Sequence, residues 1–317
     1  MTVQIITADV CDGLARLADE SVHCCVTSPP YWGLRDYGVE GQIGLEPTPE
    51  AFVARLVDVF REVRRVLRKD GTLWLNLGDS YANDGKWGGS SGGKHVEALH
   101  GKSGIGRAKR NTGLKPKDLV GIPWMVAFAL RADGWYLRQE IIWAKPNPMP
   151  ESVTDRCTKA HEHVFLLSRS ERYFYDADAI KEPASENTHS RGKGIGPKNA
   201  SNDGAVTGCL HNAAYARSIN GHVTDRNKRS VWTIATQPFP EAHFATFPEE
   251  LAETCIKAGC PAGATVLDPF GGAGTTGLVA DKLGRNAILI ELNPEYAAMA
   301  ERRIRGDCPM FAEVARA

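Results

Sequence analysis

Residues 265–283 constrain this chain more than any other stretch. A short apolar strand, Thr265-Val266-Leu267, ends in Asp268. The turn Pro269-Phe270-Gly271-Gly272-Ala273-Gly274 follows, and a helix opens with Thr275-Thr276. A strand joined to a helix by so short a glycine-rich turn belongs in a parallel α/β sheet. Glycines let the backbone come close to a ligand, and the helix start offers unpaired N–H groups. A second strand, residues 286–291, ends in Glu291, an acid at a strand tip that suits the two hydroxyls of a ribose. Three readings compete for the turn. It could be purely structural. It could hold a dinucleotide, although GGAGTT is not GxGxxG. A triphosphate site would need a lysine that is missing here. The GxxxxGK match at residues 88–94 is set aside, because His95 replaces Ser/Thr and no strand immediately precedes it.

The rest of the chain repeats the β-α-β theme. Residues 3–8 read as a strand ending at Asp9, and residues 22–27 as a strand with little alternation, as expected when both faces are buried. Residues 49–68 form an amphipathic helix with Phe52, Leu56, Val59, Val63 and Val66 on one face. A strand follows at 72–77, then a helix at 123–132 and strands at 135–143 and 163–167, with a possible hairpin continuing through 173–175. The order closes with a helix at 248–258 and one at 294–305. Two stretches interrupt this order. Residues 83–117 are rich in glycine and base (Lys102, Arg107, Lys109, Arg110, Lys115, Lys117) and read as a mobile basic loop. Residues 181–230 are similar (Arg191, Lys193, Lys198, Arg217, Arg226, Lys228, Arg229) and read as an insertion in a single domain spanning 1–317.

Formal net charge is +0, so any polyanion must meet a local patch rather than the whole surface. Eight cysteines include no CxxC pair and read as reduced, mostly buried thiols of a cytoplasmic protein. No apolar run approaches membrane-spanning length, and the N-terminus does not read as a signal peptide. His161 and His163 lack the HExxH spacing, so no metal is assigned.

The wording Thr27-Ser28-Pro29-Pro30-Tyr31-Trp32-Gly33-Leu34-Arg35-Asp36-Tyr37-Gly38 is unusual for a plain turn. With Asp268-Pro269-Phe270-Gly271-Gly272-Ala273-Gly274-Thr275-Thr276 far downstream, it resembles the amino-methylating DNA methyltransferases. Such enzymes act on N4 of cytosine or N6 of adenine. The order, catalytic motif first and cofactor motif last, resembles the permuted β arrangement of that family. The resemblance covers most of the chain, except the two basic stretches.

That resemblance implies a doubly wound, mostly parallel sheet of seven-stranded type, the S-adenosyl-L-methionine-dependent methyltransferase fold. It implies catalytic roles for Ser28, Pro29, Pro30 and Tyr31. An exocyclic amine is a poor nucleophile because its lone pair is delocalised into the ring. Acceptors at Ser28 Oγ and the Pro29 carbonyl favour the more tetrahedral nitrogen that attack requires. The prolines remove competing donors, and Tyr31 can stack on an extruded base. For S-adenosyl-L-methionine the resemblance points to Asp9 on the adenine side and to Asp268, Pro269, Phe270, Gly271, Gly272, Gly274, Thr275 and Thr276 in the turn. It adds Glu291 on the ribose and Asn293 near the adenine. His243, Phe247 and Pro248, in His243-Phe244-Ala245-Thr246-Phe247-Pro248, match the family's remaining cofactor motif. Trp143 and Lys145 border the base pocket, or are a core tryptophan and a surface lysine. The partner implied is double-stranded DNA, read by residues 181–230, for a monomer or homodimer that can work beside a restriction endonuclease. Ser before Pro-Pro-Tyr leans toward N4 of cytosine. N6 of adenine is the alternative, with an RNA or protein-amide methyltransferase or a non-catalytic DNA-binding module further off.

Overall fold

A computed structural model describes residues 1–33, 39–82, 114–184, 225–237, 247–307 and 313–316. By contact, the chain divides into two compact units, Met1–Asp176 with Ser230–Ala317, and Ala177–Arg229.

The strands, in chain order, are β1 (Thr2–Thr7), β2 (Val22–Thr27), β3 (Leu67–Leu77), β4 (Tyr136–Ala144), β5 (His161–Ser168), β6 (Glu182–Pro183), β7 (Asp225–Arg226), β8 (Val231–Thr233), β9 (Thr265–Asp268), β10 (Asn286–Glu291) and β11 (Glu313–Arg316). Strands β6 and β7 belong to the smaller unit. The other nine form the sheet on which the larger unit is built, in the order β11-β1-β10-β9-β2-β3-β5-β4-β8. Strand β5 runs antiparallel to both its neighbours, β3 and β4, and all other pairs in that sheet are parallel. This is the doubly wound fold expected, with two strands more than the seven-stranded type; β8 and β11 are short edge strands. The stretch 173–175, expected to continue a hairpin, forms no strand.

The helices are α1 (Val10–Ala15), α2 (Pro49–Val66), α3 (Ile122–Ala132), α4 (Glu249–Gly259), α5 (Thr275–Lys282) and α6 (Pro294–Asp307). Helix α2 shows why the sequence folds as it does. Thr48 caps it by accepting from the Ala51 N–H, Pro49 sits in the first turn, and Phe52, Leu56, Val59, Phe60, Val63 and Val66 are buried. Each such side chain contributes about 1.5–3 kcal/mol of transfer free energy. Leu73, Leu75 and Leu77 of β3 join that cluster. Strand alternation turns Thr72 and Trp74 the other way, where they meet Gly259 of α4. A Cβ at Gly259 would lie 2.4 Å from Trp74 Nε1, so only glycine allows this helix so close to the sheet.

The topology creates one special place. From β9 the chain passes through α5 to β10 on one side. From β2 it passes through α2 to β3 on the other. Strands β9 and β2 are adjacent and parallel, with Cys24 opposite Val266 and Cys25 opposite Leu267. The direction of winding therefore diverges between them, and a crevice opens at their carboxyl ends.

In the smaller unit β6 and β7 pair antiparallel. Glu182 there accepts from both Arg226 Nε (2.9 Å) and Arg229 Nε (2.6 Å). These two arginines, counted among the basic residues of the insertion, are thus tied to one carboxylate. Lys117 is similarly paired with Asp155, at 2.6 Å. Residues 83–113, 185–224 and His243 lie outside the described residues.

Candidate active site at the switch point

The crevice is a cleft holding about 1200 Å³ of empty space, its mouth included. Its lining joins the loops after β1 (Asp9), β2 (Ser28, Pro29, Pro30, Tyr31), β9 (Asp268, Pro269, Phe270, Gly271, Gly272, Thr275) and β10 (Glu291, Asn293), together with Phe247. Two stretches more than two hundred residues apart in sequence therefore share one wall-to-wall space. Gln42, Ile43 and Tyr296, which no motif singles out, also line it.

Among the described residues, three expected to hold the cofactor do not line the cleft. Pro248 forms the N-cap of α4, its carbonyl accepting from Leu251 and Ala252. Gly274, at φ +78°, packs against Ala300 in the space a side chain would need. Thr276 is fully buried and donates to Asp268 Oδ2 at 2.6 Å. Asp268 itself, 1% exposed, is engaged inside the protein. Its Oδ1 accepts from Thr27 Oγ1 (2.6 Å) and from the Phe270 N–H (3.1 Å). Burial raises its pKa, opposed by the Thr27 and Thr276 hydroxyls and the Phe270 N–H. It clamps the end of β2 to the glycine turn.

Glu291 differs. Its Oε2 accepts from the Gly272 N–H and its Oε1 from the Asn293 N–H, both at 2.8 Å. With the Leu292 N–H as a third donor, the carboxylate still keeps acceptor capacity for another. Burial pushes its pKa up, those N–H groups and Leu292's pull against this, and the nearby Asp268 adds to it. A carboxylate with spare acceptor capacity, beside a glycine turn that brings backbone to the cleft, fits a ribose-bearing cofactor. Asp9 caps α1 through the Cys11 N–H at 2.8 Å and lies 3.8 Å from Arg55.

On the other wall, side chains from separate strands meet behind Ser28. Tyr31 donates its hydroxyl to Glu162 Oε2 at 2.6 Å, and its ring packs on Gly78, where a Cβ would come within 2.5 Å of Cε2. Asn76 Nδ2 reaches Glu162 Oε2 (2.9 Å), Tyr31 Oη (3.1 Å) and Ser28 Oγ (3.4 Å). Lys145 Nζ pairs with Glu162 Oε1. Burial raises the Glu162 pKa, but Lys145, Tyr31 and Asn76 outweigh it and hold the carboxyl below its ordinary value. The Lys145 ammonium also lies 4.3 Å from the Trp143 ring centre. Trp143 is a core residue, donating Nε1–H to the Ile234 carbonyl at 2.8 Å. Neither it nor Lys145 lines the cleft. His163 Nδ1 meets Glu140 at 2.7 Å, and no group of metal-ligating side chains occurs among the described residues. The described cysteines form no disulfide, and Cys24, Cys25, Cys255 and Cys260 are buried.

A doubly wound sheet that brings a glycine turn and a strand-tip carboxylate to one wall of a switch-point cleft, and Ser28 to the other, has the architecture of a nucleotide-binding α/β protein. Comparison with known proteins gives the family. The N6/N4 methyltransferase model, described as DNA methylase, matches residues 22–302, and the chain belongs to that family. It is 46% identical over 301 residues to the Type II methyltransferase M.SmaI of Serratia marcescens, covering 95% of this chain and 90% of that one. It is 44% identical over 314 residues to M.Cfr9I of Citrobacter freundii, covering 99% and 91%. Among solved structures, a Thermus thermophilus protein described as a candidate DNA modification methylase, complexed with S-adenosyl-L-methionine, matches with TM-score 0.59 and 25% identity, over 98% of this chain and 99% of that one. PvuII DNA methyltransferase (cytosine-N4-specific) shares the fold, with TM-score 0.62, 17% identity and coverage of 99% and 96%.

Proposed function

We propose that this protein is a Type II DNA methyltransferase that methylates the exocyclic amine of a base extruded from double-stranded DNA, with N4 of cytosine the favoured target. The observation that carries the reading is the shared cleft: Ser28 and the Gly271-Gly272 turn line the same space. S-adenosyl-L-methionine, when bound, supplies an electrophilic methyl group on a sulfonium. Glu291 would hold its ribose, Asn293 and Asp9 its adenine, Phe247 its methionine end, and Phe270 its methionine and ribose side. Ser28 Oγ and the Pro29 carbonyl would accept from the two amine N–H groups and orient the nitrogen toward the cofactor, so that positioning would carry much of the rate. Extruding the base costs a few kcal/mol, offset by contacts in the cleft. Residues 181–230 read the target sequence. A restriction endonuclease of the same specificity is the candidate partner.

Support for the cytosine target is Ser28 before Pro-Pro-Tyr. Incubation with labelled cofactor and duplex DNA, followed by mass spectrometry of the nucleosides, tests it. N4-methylcytosine is the expected product. N6-methyladenine would overturn the target assignment but leave the reaction class standing.

A further inference from the structure

We propose that Glu162 is a positioning residue that sets the direction of the hydrogen bonds behind Ser28, so that Ser28 Oγ presents a lone pair, and not its proton, to the cleft. This rests on the reading of Ser28 as the amine acceptor.

A serine hydroxyl is ambiguous, because it can donate one bond and accept two. A target amine needs an acceptor, so something must fix which way the Ser28 proton points. Glu162 does this from one residue away. With Lys145 on Oε1, the carboxylate stays ionised and can only accept. Tyr31 must therefore give its one proton to Oε2, across 2.6 Å. An amide N–H group can only donate, so Asn76 Nδ2 adds further donation toward Glu162, Tyr31 Oη and Ser28 Oγ. The Tyr31 oxygen is then left to accept, and the Ser28 proton lies toward it at 3.4 Å. One Ser28 lone pair faces Asn76. The other remains for the cleft that Ser28 lines.

The sheet explains why these groups meet. Asn76 is the penultimate residue of β3. Glu162 lies near the start of antiparallel β5, opposite Trp143 of β4, and Lys145 directly follows β4. All stand at the rim where β2 releases Ser28. The rim builds a fixed polarity out of side chains that no contiguous motif contains.

Three variants test this. Tyr31→Phe keeps the ring on Gly78 and deletes only the link. Glu162→Gln replaces the obligate acceptor by an amide that can donate. Each is expected to lower kcat about 10- to 100-fold, the scale of a misplaced reacting group, with KM for DNA and cofactor affinity within about threefold of the parent. In Tyr31→Phe protein, adding Glu162→Gln is expected to cost nothing further, because the two act through one chain. Multiplied losses in the double variant, a parent-like kcat for Tyr31→Phe, or parallel loss of cofactor affinity would each overturn the proposal. Ser28→Ala separates this from the reading beneath it. An active Ser28→Ala enzyme means the acceptor is misassigned. An inactive one beside a fully active Tyr31→Phe means only the polarity chain is wrong.

Discussion

The two walls of the cleft are made in opposite ways. The cofactor wall is a local object. Asp268, the glycine turn, Thr276 and Glu291 fall within 24 consecutive residues, and their carboxylates accept from nearby backbone N–H groups, with Asp268 also tied to Thr27 at the end of β2. The amine wall is assembled from β2, β3, β4 and β5, and most of its bonds join side chains distant in sequence. Backbone donors are pre-arranged by the turn itself. Side-chain networks depend on every member being in place. Damage to the first wall is therefore expected to appear in binding and stability, and damage to the second in turnover.

Glu291→Ala should break the contrast most sharply if it is wrong. It removes the carboxylate that holds both the Gly272 and Asn293 N–H groups, and we expect about 30- to 100-fold weaker cofactor binding by calorimetry, from roughly one lost charge-assisted bond to the ribose. Thr276→Val leaves buried Asp268 Oδ2 without that donor. It should lower unfolding free energy by about 1–3 kcal/mol in denaturant titrations, with turnover at saturating ligands little changed. Gly78→Ala places a methyl against the Tyr31 ring, which cannot bend aside as a flexible chain end would. It should cut kcat about tenfold by displacing one member of the acceptor wall, while cofactor affinity holds.

The smallest effect is on pH. Glu291 and Asp268 have pKa values raised by burial, so both protonate at higher pH than ordinary carboxyls. A raised acid favours the folded state most below its unfolded pKa, and that contribution is lost as pH rises through the folded pKa. Acidification thus strengthens the ligand-free protein through these groups, yet a protonated Glu291 loses acceptor capacity for a ribose. The cofactor-induced rise in Tm should shrink as pH falls from neutrality toward the carboxylate range. In Glu291→Gln that dependence should flatten; an unchanged slope would remove Glu291 from the ribose.

The same contrast decides what could be read from the sequence. Ser28, Glu291, Asp9 and the glycine turn were legible because their strand-tip positions are written in contiguous residues. Within that motif, Gly274 and Thr276 stand behind the surface, since a motif preserves what shapes a turn as well as what touches a ligand. Asp268 clamps two strands, a role visible only once β2 is known to lie beside β9. Tyr31 was expected to stack on the base; its hydroxyl is tied to Glu162, which the sequence could not show. Glu162 sits between two histidines whose spacing invites a question about metal and hides the carboxylate. Asn76 did leave a trace, as the one amide in the run Leu73-Trp74-Leu75-Asn76-Leu77. A polar side chain in a strand buried on both faces needs partners. Edge strands β8 and β11 escaped because three or four residues carry too little alternation to register.

The proposed reaction requires donor and acceptor to meet between β2 and β9. A crystal structure with S-adenosyl-L-methionine and a duplex carrying the target base tests that directly. The prediction is a ribose on Glu291 and an extruded base whose amine lies within hydrogen-bond distance of Ser28 Oγ. A cofactor bound away from the Gly271-Gly272 turn, or a base amine held by groups other than Ser28 and Pro29, would contradict it.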